Sequence, residues 1–438
     1  MHPQPTNTIS QLTIFKFWSP LAATWLMMAV EGPFIAAVIA RLAEPKFNLA
    51  AYGVAFSFGL MIEAPIIMIM SASVALVRDR LSYLKLRNFL FALKILITIA
   101  MLGLIFTPLF EEIMYGLIGL PPEVAQLTYI TLILLIPWPA AIGYRRFYQG
   151  ILIRNNQTQR VAYGTVIRLI SMALTALGLY FFTDTAGAYL GAAAMSTGVT
   201  LEAIFTRIMA WSSVRTVAYT APNPATEPLT YRGIIQFYYP LALSSMLSLG
   251  VRPLVTFFVG QSRSALESLA VLPVINSTTF IFVSVGLAFQ EVAITFLGDK
   301  NEGFPALRRF ALRLGLITVS LLALIGYTPL SSIWFQRIGG LTPELTEFAR
   351  IPIRIVCILP GLAILLAFQR AILVNAKRTG GITIATAAEV VGMMSILFVM
   401  ISGINAIGAI AATTAFVSGR IIANAYLFTR TSSCLRGE

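Results

Sequence analysis

Phe17-Trp18-Ser19-Pro20-Leu21, near the start of the first apolar run, returns about 220 residues later as Phe237-Tyr238-Tyr239-Pro240-Leu241. Outward from that match, Pro33 returns as Pro253 and Thr107-Pro108-Leu109 as Thr328-Pro329-Leu330. Gly119-Leu120-Pro121-Pro122-Glu123 returns as Gly340-Leu341-Thr342-Pro343-Glu344, and the segment 147–152 as 368–373. One such match carries little. Several at a nearly constant offset, each at the same end of the equivalent apolar run, mark a duplication of almost the whole chain.

The duplicated material is membrane-spanning. Of 438 residues, 58% are apolar and 11% are charged, against about 25% charged in a soluble domain, which excludes a soluble enzyme. At about 20 residues per crossing, that apolar content supplies roughly a dozen spans. Turn signals and charges place them at 14–40, 51–77, 88–108, 126–152, 163–183, 187–211, 235–260, 267–297, 306–326, 348–374, 381–403 and 406–429. The first, beginning near Leu12, is too long for a signal-peptide core and is read as a retained helix. Six helices per half is an even number, so both halves enter the membrane in the same sense, as a 6+6 repeat about an axis along the membrane normal. The expected fold is an all-α polytopic membrane protein with two six-helix lobes and a central cleft. The expected division is 1–220 for the N-terminal lobe, 221–232 for a Pro-rich cytoplasmic linker and 233–438 for the C-terminal lobe. Lobes that rock about such an axis expose the cleft to each side in turn, which is transporter architecture. A static scaffold with the same duplication is the bland alternative.

Thirty-one Lys and Arg against eighteen Asp and Glu leave a net charge of +13. Sorted by the twelve-span arrangement, one set of loops and the termini carry about sixteen cations and the other about five, so the excess follows the positive-inside bias rather than a nucleic-acid partner. Both termini are expected in the cytoplasm, with the cytoplasmic membrane as location. Cys357 falls in a span and Cys434 in the tail, so no disulfide is expected. The one histidine, His2, has no neighbouring ligands, so neither a metal nor a cofactor is expected. There is no G-x-x-x-x-G-K-[ST], no TVGYG-like filter, no regular Arg ladder and no G-x-S-x-G. These absences disfavour an ATPase, a potassium or voltage-gated channel and a Ser hydrolase, and no catalytic residue is assigned.

Ionisable residues inside spans cost about 2.5 kcal/mol or more at the centre, so each needs a partner, a wet cavity or a route to the interface. In the N-terminal half they are Glu31, Glu63, Arg145, Arg146, Arg168, Glu202 and Arg207; in the C-terminal half, Arg252, Glu291, Arg370, Glu389 and Arg420. Glu63, two residues before Pro65, puts a carboxylate beside a helix bend and reads either as an ion or proton site or as a protonated acid bonded to a neighbouring helix. Glu31 and Arg252 occupy related places beside Pro33 and Pro253, which suggests an ion pair, either a gate or a permanent structural pair. Under the repeat, Arg168 corresponds to Glu389, Arg370 to Gln149, and Arg420 falls one residue beyond the counterpart of Glu202. Arg145 and Arg146 are about 100° apart on a helix, so they point different ways. Guanidinium forks match carboxylate and phosphate oxygens, so Arg145, Arg146, Arg168, Arg252, Arg370 and Arg420 are the candidate contacts to a small anionic substrate. Glu31, Glu63, Glu202 and Glu389 are the candidates for gating, coupling to a proton or sodium ion, or charge balance. The competing reading of the arginines is the positive-inside bias continued inward.

Several short motifs carry a family resemblance. They are Val30-Glu31-Gly32, Ala51-Tyr52-Gly53-Val54-Ala55-Phe56-Ser57, Arg78-Asp79-Arg80, Pro240-Leu241-Ala242-Leu243, Arg252-Pro253, Glu291, Pro352-Ile353-Arg354-Ile355 and Lys377-Arg378-Thr379. On these the chain resembles the multidrug/oligosaccharidyl-lipid/polysaccharide (MOP, MATE-like) exporter superfamily and, within it, the progressive ankylosis protein family. That resemblance implies two six-helix lobes around a V-shaped cleft and export of small polyanions of the pyrophosphate, nucleotide or citrate class. Glu63, Arg168 and Arg370 have no match in the family's pattern. The expectation is a secondary transporter exporting an organic or phosphate-containing anion by alternating access in the lipid bilayer. Its rivals are a proton- or sodium-coupled multidrug cation antiporter, a lipid-linked precursor flippase and a non-transporting scaffold.

Overall fold

Proline and glycine decide where these apolar runs start, break and touch. A computed structural model describes residues 10–155, 157–221, 228–298, 301–376, 378 and 380–436. Most of the expected linker (222–227), together with His2, Lys300, Lys377 and Thr379, lies outside the described residues. The described chain is helical, with no strand. Ten segments are long and apolar enough to cross a membrane: Gln11–Ile39, Arg80–Phe106, Pro122–Arg154, Thr158–Phe182, Gly187–Met209, Tyr231–Gly260, Ala265–Phe296, Phe304–Tyr327, Pro343–Asn375 and Gly380–Gly403. The interrupted pair Pro45–Glu63 and Ile69–Leu76 takes the second place in the order, and Gly408–Arg436 the twelfth.

The interruptions fall at prolines because a proline has no N–H to give the carbonyl four residues back. Pro33 does this at Val30, dividing Gln11–Ala29 from Glu31–Ile39. Pro65 does it after Glu63, where the chain turns over 64–68 before Ile69. The carbonyls exposed by that turn are answered from the Tyr231–Gly260 helix: Ser245 Oγ donates to the Ala64 carbonyl at 2.7 Å and Tyr238 OH to the Pro65 carbonyl at 2.6 Å. A backbone break at membrane depth persists only when protein groups satisfy it in this way.

The duplication is visible in the backbone. Gly119 and Gly340 close equivalent turns at φ 75° and 72°, a region that favours glycine. Each turn follows a π-helical stretch, Glu112–Leu117 in one half and Ile333–Ile338 in the other. Asn48 Oδ1 accepts from the Ala188 amide at 2.9 Å, and Ser268 Oγ accepts from the Ala409 amide at 3.0 Å, the same junction built twice.

Packing groups the helices differently from the division at 221–232. One compact unit joins residues up to Ala37 with those from Ser262 onward; the other runs from Val38 to Gln261. In the first unit the opening helix lies on C-terminal-half helices: Gln11 Nε2 donates to the Ala306 carbonyl at 2.8 Å, and Ile14 is buried with Phe289 and Phe310. A Cβ on Gly32 would come within 2.8 Å of Ser277 Cβ, so only glycine allows that approach. In the second unit the Tyr231–Gly260 helix packs on N-terminal-half helices through Tyr238 and Ser245, and Thr256 Oγ1 lies 3.2 Å from Ser57 Oγ. The first helix of each half is thus exchanged. Its partners are chosen by side chains far away in sequence, which a linear division at the linker does not weigh.

Close helix pairs rest on small residues, as membrane helices require. A Cβ on Gly419 would meet the Glu389 carbonyl oxygen at 2.9 Å, and backbone cannot step aside as a side chain can. Gly419→Ala is therefore expected to destabilise by about 1–3 kcal/mol. Gly178, near the C-terminal end of the Thr158–Phe182 helix, has nothing within 4 Å of its added Cβ, and Gly178→Ala is expected to gain up to about 0.5–1 kcal/mol from backbone entropy. Thermal unfolding of the two variants in one detergent checks this; an equal response in both would refute the packing account.

Candidate functional site

In the second unit the charges collect around Glu202, which is fully buried on the Gly187–Met209 helix. Two glycines bring this helix against Thr158–Phe182. The Cβ position of Gly164 faces Glu202 Cγ at 3.5 Å, and that of Gly198 faces the Arg168 carbonyl at 3.2 Å. Arg145, from the Pro137–Arg154 helix, donates through Nη1 to Glu202 Oε2 in a buried ion pair. One turn on, Gln149 Nε2 donates to Glu202 Oε1 at 3.2 Å, and Arg168 Nη1 stands 4.0 Å from Oε2. One carboxylate therefore serves two guanidiniums and an amide.

Arg146 points another way, as the 100° step requires. It is half-buried, its Nε is enclosed without a hydrogen-bond partner, and it makes no ion pair among the described residues. It shares an electrostatic field with Arg145, Glu63, Arg168 and Glu202. Glu63, at the helix break, is buried with Oε2 lacking a partner, and the charges acting on it are Arg146, Arg145 and Arg168. With both acids ionised, three cations face two anions inside membrane-spanning segments.

The first unit holds the pseudo-symmetric counterpart with reversed polarity. Arg420 Nη2 lies 3.0 Å from Glu389 Oε1, the acid now on the Gly380–Phe398 helix and the base on Gly408–Arg436. The expected register needs one correction. Gly198 sits on Arg168 and Met172 as Gly419 sits on Glu389 and Met393, so Arg420 matches Val199, and Glu202 matches Ala423, one helical turn on. The offset is 220 at Pro33 and Pro253 and 221 at Phe147 and Phe368, so the slip of one helical turn at Glu202 arises where no matching motif lies beside it to fix the register. Arg370 Nη2 donates to Thr386 Oγ1 at 3.3 Å while its Nε is buried without a partner.

Glu31 and Arg252 belong to different units. Glu31 is buried at the start of the Glu31–Ile39 helix in the first unit. Arg252 is exposed in the second unit, its carbonyl accepting from Thr256 Oγ1 at 3.1 Å. The structure thus brings Arg145, Arg168 and Glu202 into contact with one another, sets Arg146 and Glu63 in the same field, and joins Arg420 to Glu389. Sequence reasoning missed Lys94, whose Nζ lies 4.7 Å from the Tyr144 ring centroid in the Arg80–Phe106 helix. The available signal was a lone lysine inside the apolar run from Phe89 to Phe106.

No protein-family model and no curated protein matches this sequence. Solved structures do match over nearly the full length. An inward-facing multidrug resistance MATE family transporter of the MOP superfamily aligns with a TM-score of 0.73 at 15% identity, covering 95% of this chain and 98% of that one. The fold is that of the MOP-superfamily transporters. The lipid II flippase MurJ, in an inward closed conformation, aligns at a TM-score of 0.72 and 14% identity, covering 94% of this chain and 87% of that one. A MOP superfamily transporter from Pyrococcus furiosus, described as having a binding pocket of reverse polarity that suggests a different function, aligns at 0.62 and 16% identity over 97% and 96%. Likeness at this level of identity carries the MOP fold and leaves the progressive ankylosis resemblance on its sequence motifs.

Proposed function

We propose that this protein is a secondary active transporter of the cytoplasmic membrane that exports small organic or phosphate-containing anions by alternating access. The supporting observation is the intramembrane charge excess around Glu202, where Arg145, Arg146 and Arg168 outnumber Glu63 and Glu202. A cation inside a membrane span without a direct partner is costly and is a functional candidate for that reason, and Arg146, half-buried with its Nε enclosed, is in that position. In this reading Arg145 is held by Glu202 as structure, Arg146 and the exposed Arg252 attract the anion, and Glu63 takes the coupling proton or sodium ion. Arg370 supplies the equivalent donor in the other unit, while Glu389 and Arg420 balance each other. The motif resemblance to the progressive ankylosis family points to the same class, with citrate, pyrophosphate and nucleotides as the first candidates.

Proteoliposomes offered citrate, malate, pyrophosphate, ATP and cationic dyes test the proposal. Anion flux driven by an ion gradient is expected, with dyes unmoved; dye movement without any anion flux would select the multidrug reading and reject ours. Arg252→Ala is expected to abolish or severely reduce that flux while the protein remains folded and inserted, because no side-chain hydrogen bond or ion pair to Arg252 is lost. Wild-type flux from that variant removes Arg252 from the substrate path. A lipid-linked precursor flippase is the second reading, favoured by the full-length likeness to MurJ, and scrambling of a fluorescent polyprenyl-phosphate lipid in the same vesicles separates it.

A further inference from the structure

Three cations of the second unit stand apart from the Glu202 cluster and have no acid to answer them. Arg87 and Lys94 project from the Arg80–Phe106 helix, and Arg207 from Gly187–Met209. The Arg87 guanidinium lies 5.7 Å from the Tyr83 ring centroid, Lys94 Nζ 4.7 Å from Tyr144, and the Arg207 guanidinium 5.0 Å from Tyr148. Those rings are themselves in contact: Tyr144 and Tyr148 meet edge to face at 4.8 Å, and Phe147 touches both Tyr148 at 5.1 Å and Tyr83 at 5.9 Å. Arg87 Nε and Arg207 Nη1 are buried without hydrogen-bond partners. None of the three cations pairs with a carboxylate among the described residues.

Ring faces stabilise a cation but do not neutralise it. Three uncancelled positive charges over one aromatic cluster repel each other, and within membrane spans their cost is met by a counter-anion or by water. Among the described residues no carboxylate pairs with these cations, so a counter-anion would come from outside the chain. Along the helix, Arg87 lies about 10 Å and Lys94 about 20 Å beyond Arg80, at 1.5 Å per residue. The row therefore runs inward from the basic end of that helix, Arg87 two turns in and Lys94 near its middle. Guanidinium forks fit phosphate oxygens, and an ammonium adds a point charge.

We propose that Arg87, Lys94 and Arg207, held on Tyr83, Tyr144 and Tyr148, form a binding site for a phosphate-bearing anion. It is a different set of residues from the Glu202 cluster and does not depend on the transported substrate read there. The phosphate has two sources, the headgroup of an anionic phospholipid and a soluble phosphate ester or pyrophosphate.

The experiment uses the full chain in phosphatidylcholine nanodiscs, read by thermal unfolding. One arm adds phosphatidic acid to the disc and the other adds inorganic pyrophosphate to the solution. A saturable rise in Tm is expected in one arm, which names the source. Lys94→Gln and Arg207→Gln, made separately, are each expected to weaken that response about tenfold, the scale of one charge-assisted hydrogen bond. Arg309→Gln, the same charge change at an exposed residue of the other unit, should leave it unchanged. No saturable response of the wild type in either arm overturns the proposal, whatever the variants do. So does an equal loss in Arg309→Gln, which would mean general surface electrostatics. A pyrophosphate response lost in Arg146→Gln but kept in Lys94→Gln would belong to the Glu202 cluster and would also overturn it.

Discussion

Glu202→Gln is expected to lower stability by about 3–5 kcal/mol, because removing one member of a buried ion pair leaves its partner charged and uncompensated. Here the loss falls on two cations at once, since Arg145 pairs with Glu202 directly and Arg168 stands 4.0 Å from the same oxygen. The side chains involved are almost wholly enclosed, 7% exposed for Arg145 and 0% for Glu202, so solvent screening gives little relief. Glutamine preserves the shape, and Gln149 can still hydrogen-bond to its amide oxygen, which isolates the charge as the variable. The yield of inserted protein and its unfolding temperature check the prediction; a variant that melts with the wild type would refute it. The triple variant Arg145→Met, Arg168→Met and Glu202→Leu should recover more of the loss than Arg145→Met with Glu202→Leu, which leaves Arg168 uncompensated, since burying none of the charges is often as stable as burying all of them.

Arg146→Gln is expected to do the opposite, leaving the unfolding temperature near wild type while lowering anion flux by roughly ten- to a hundredfold. Arg146 has no hydrogen-bond or ion-pair partner among the described residues, so its removal breaks no direct contact and only weakens the positive field acting on Glu63. A charge-assisted hydrogen bond to substrate is worth about 1.5–3 kcal/mol, and each 1.4 kcal/mol is a factor of ten. Flux of the best anion from the wild-type panel, measured beside the melting curve, reads both halves of the prediction. Undiminished flux would take Arg146 out of the substrate path, and a large fall in stability would show it to be structural. Glu63→Gln serves as the companion: with an acid removed from the same field, anion binding should hold or strengthen while dependence on the driving ion gradient is lost.

Much of this is legible in the sequence itself. The paired motifs around Pro20 and Pro240, Thr107 and Thr328, and Gly119 and Gly340 report local backbone events, a proline carried inside a helix, a helix end and a left-handed turn, and each is built by residues within a few positions of one another. The break beside Glu63 was readable for the same reason, since Pro65 removes its own hydrogen bond regardless of neighbours. The pairing of Arg145 with Glu202 was not, because 57 residues separate them and either arginine of the adjacent pair could have turned inward. Lys94 was overlooked because its stabilising partner, the Tyr144 ring, is supplied by another helix.

Sequence alone determined the span pattern, the duplication and the identity of most intramembrane charges, all of which depend on short-range periodicity, on turn residues, and on the cost of charge in hydrocarbon, while a proline breaks its helix at Pro33 and is carried through at Pro253. Tertiary structure decided which charges cancel and which stay uncompensated, and that the first helix of each half packs with the helices of the other. Those outcomes follow from close approach at glycines such as Gly32, Gly198 and Gly419, where the distance between two helices sets which side chains meet.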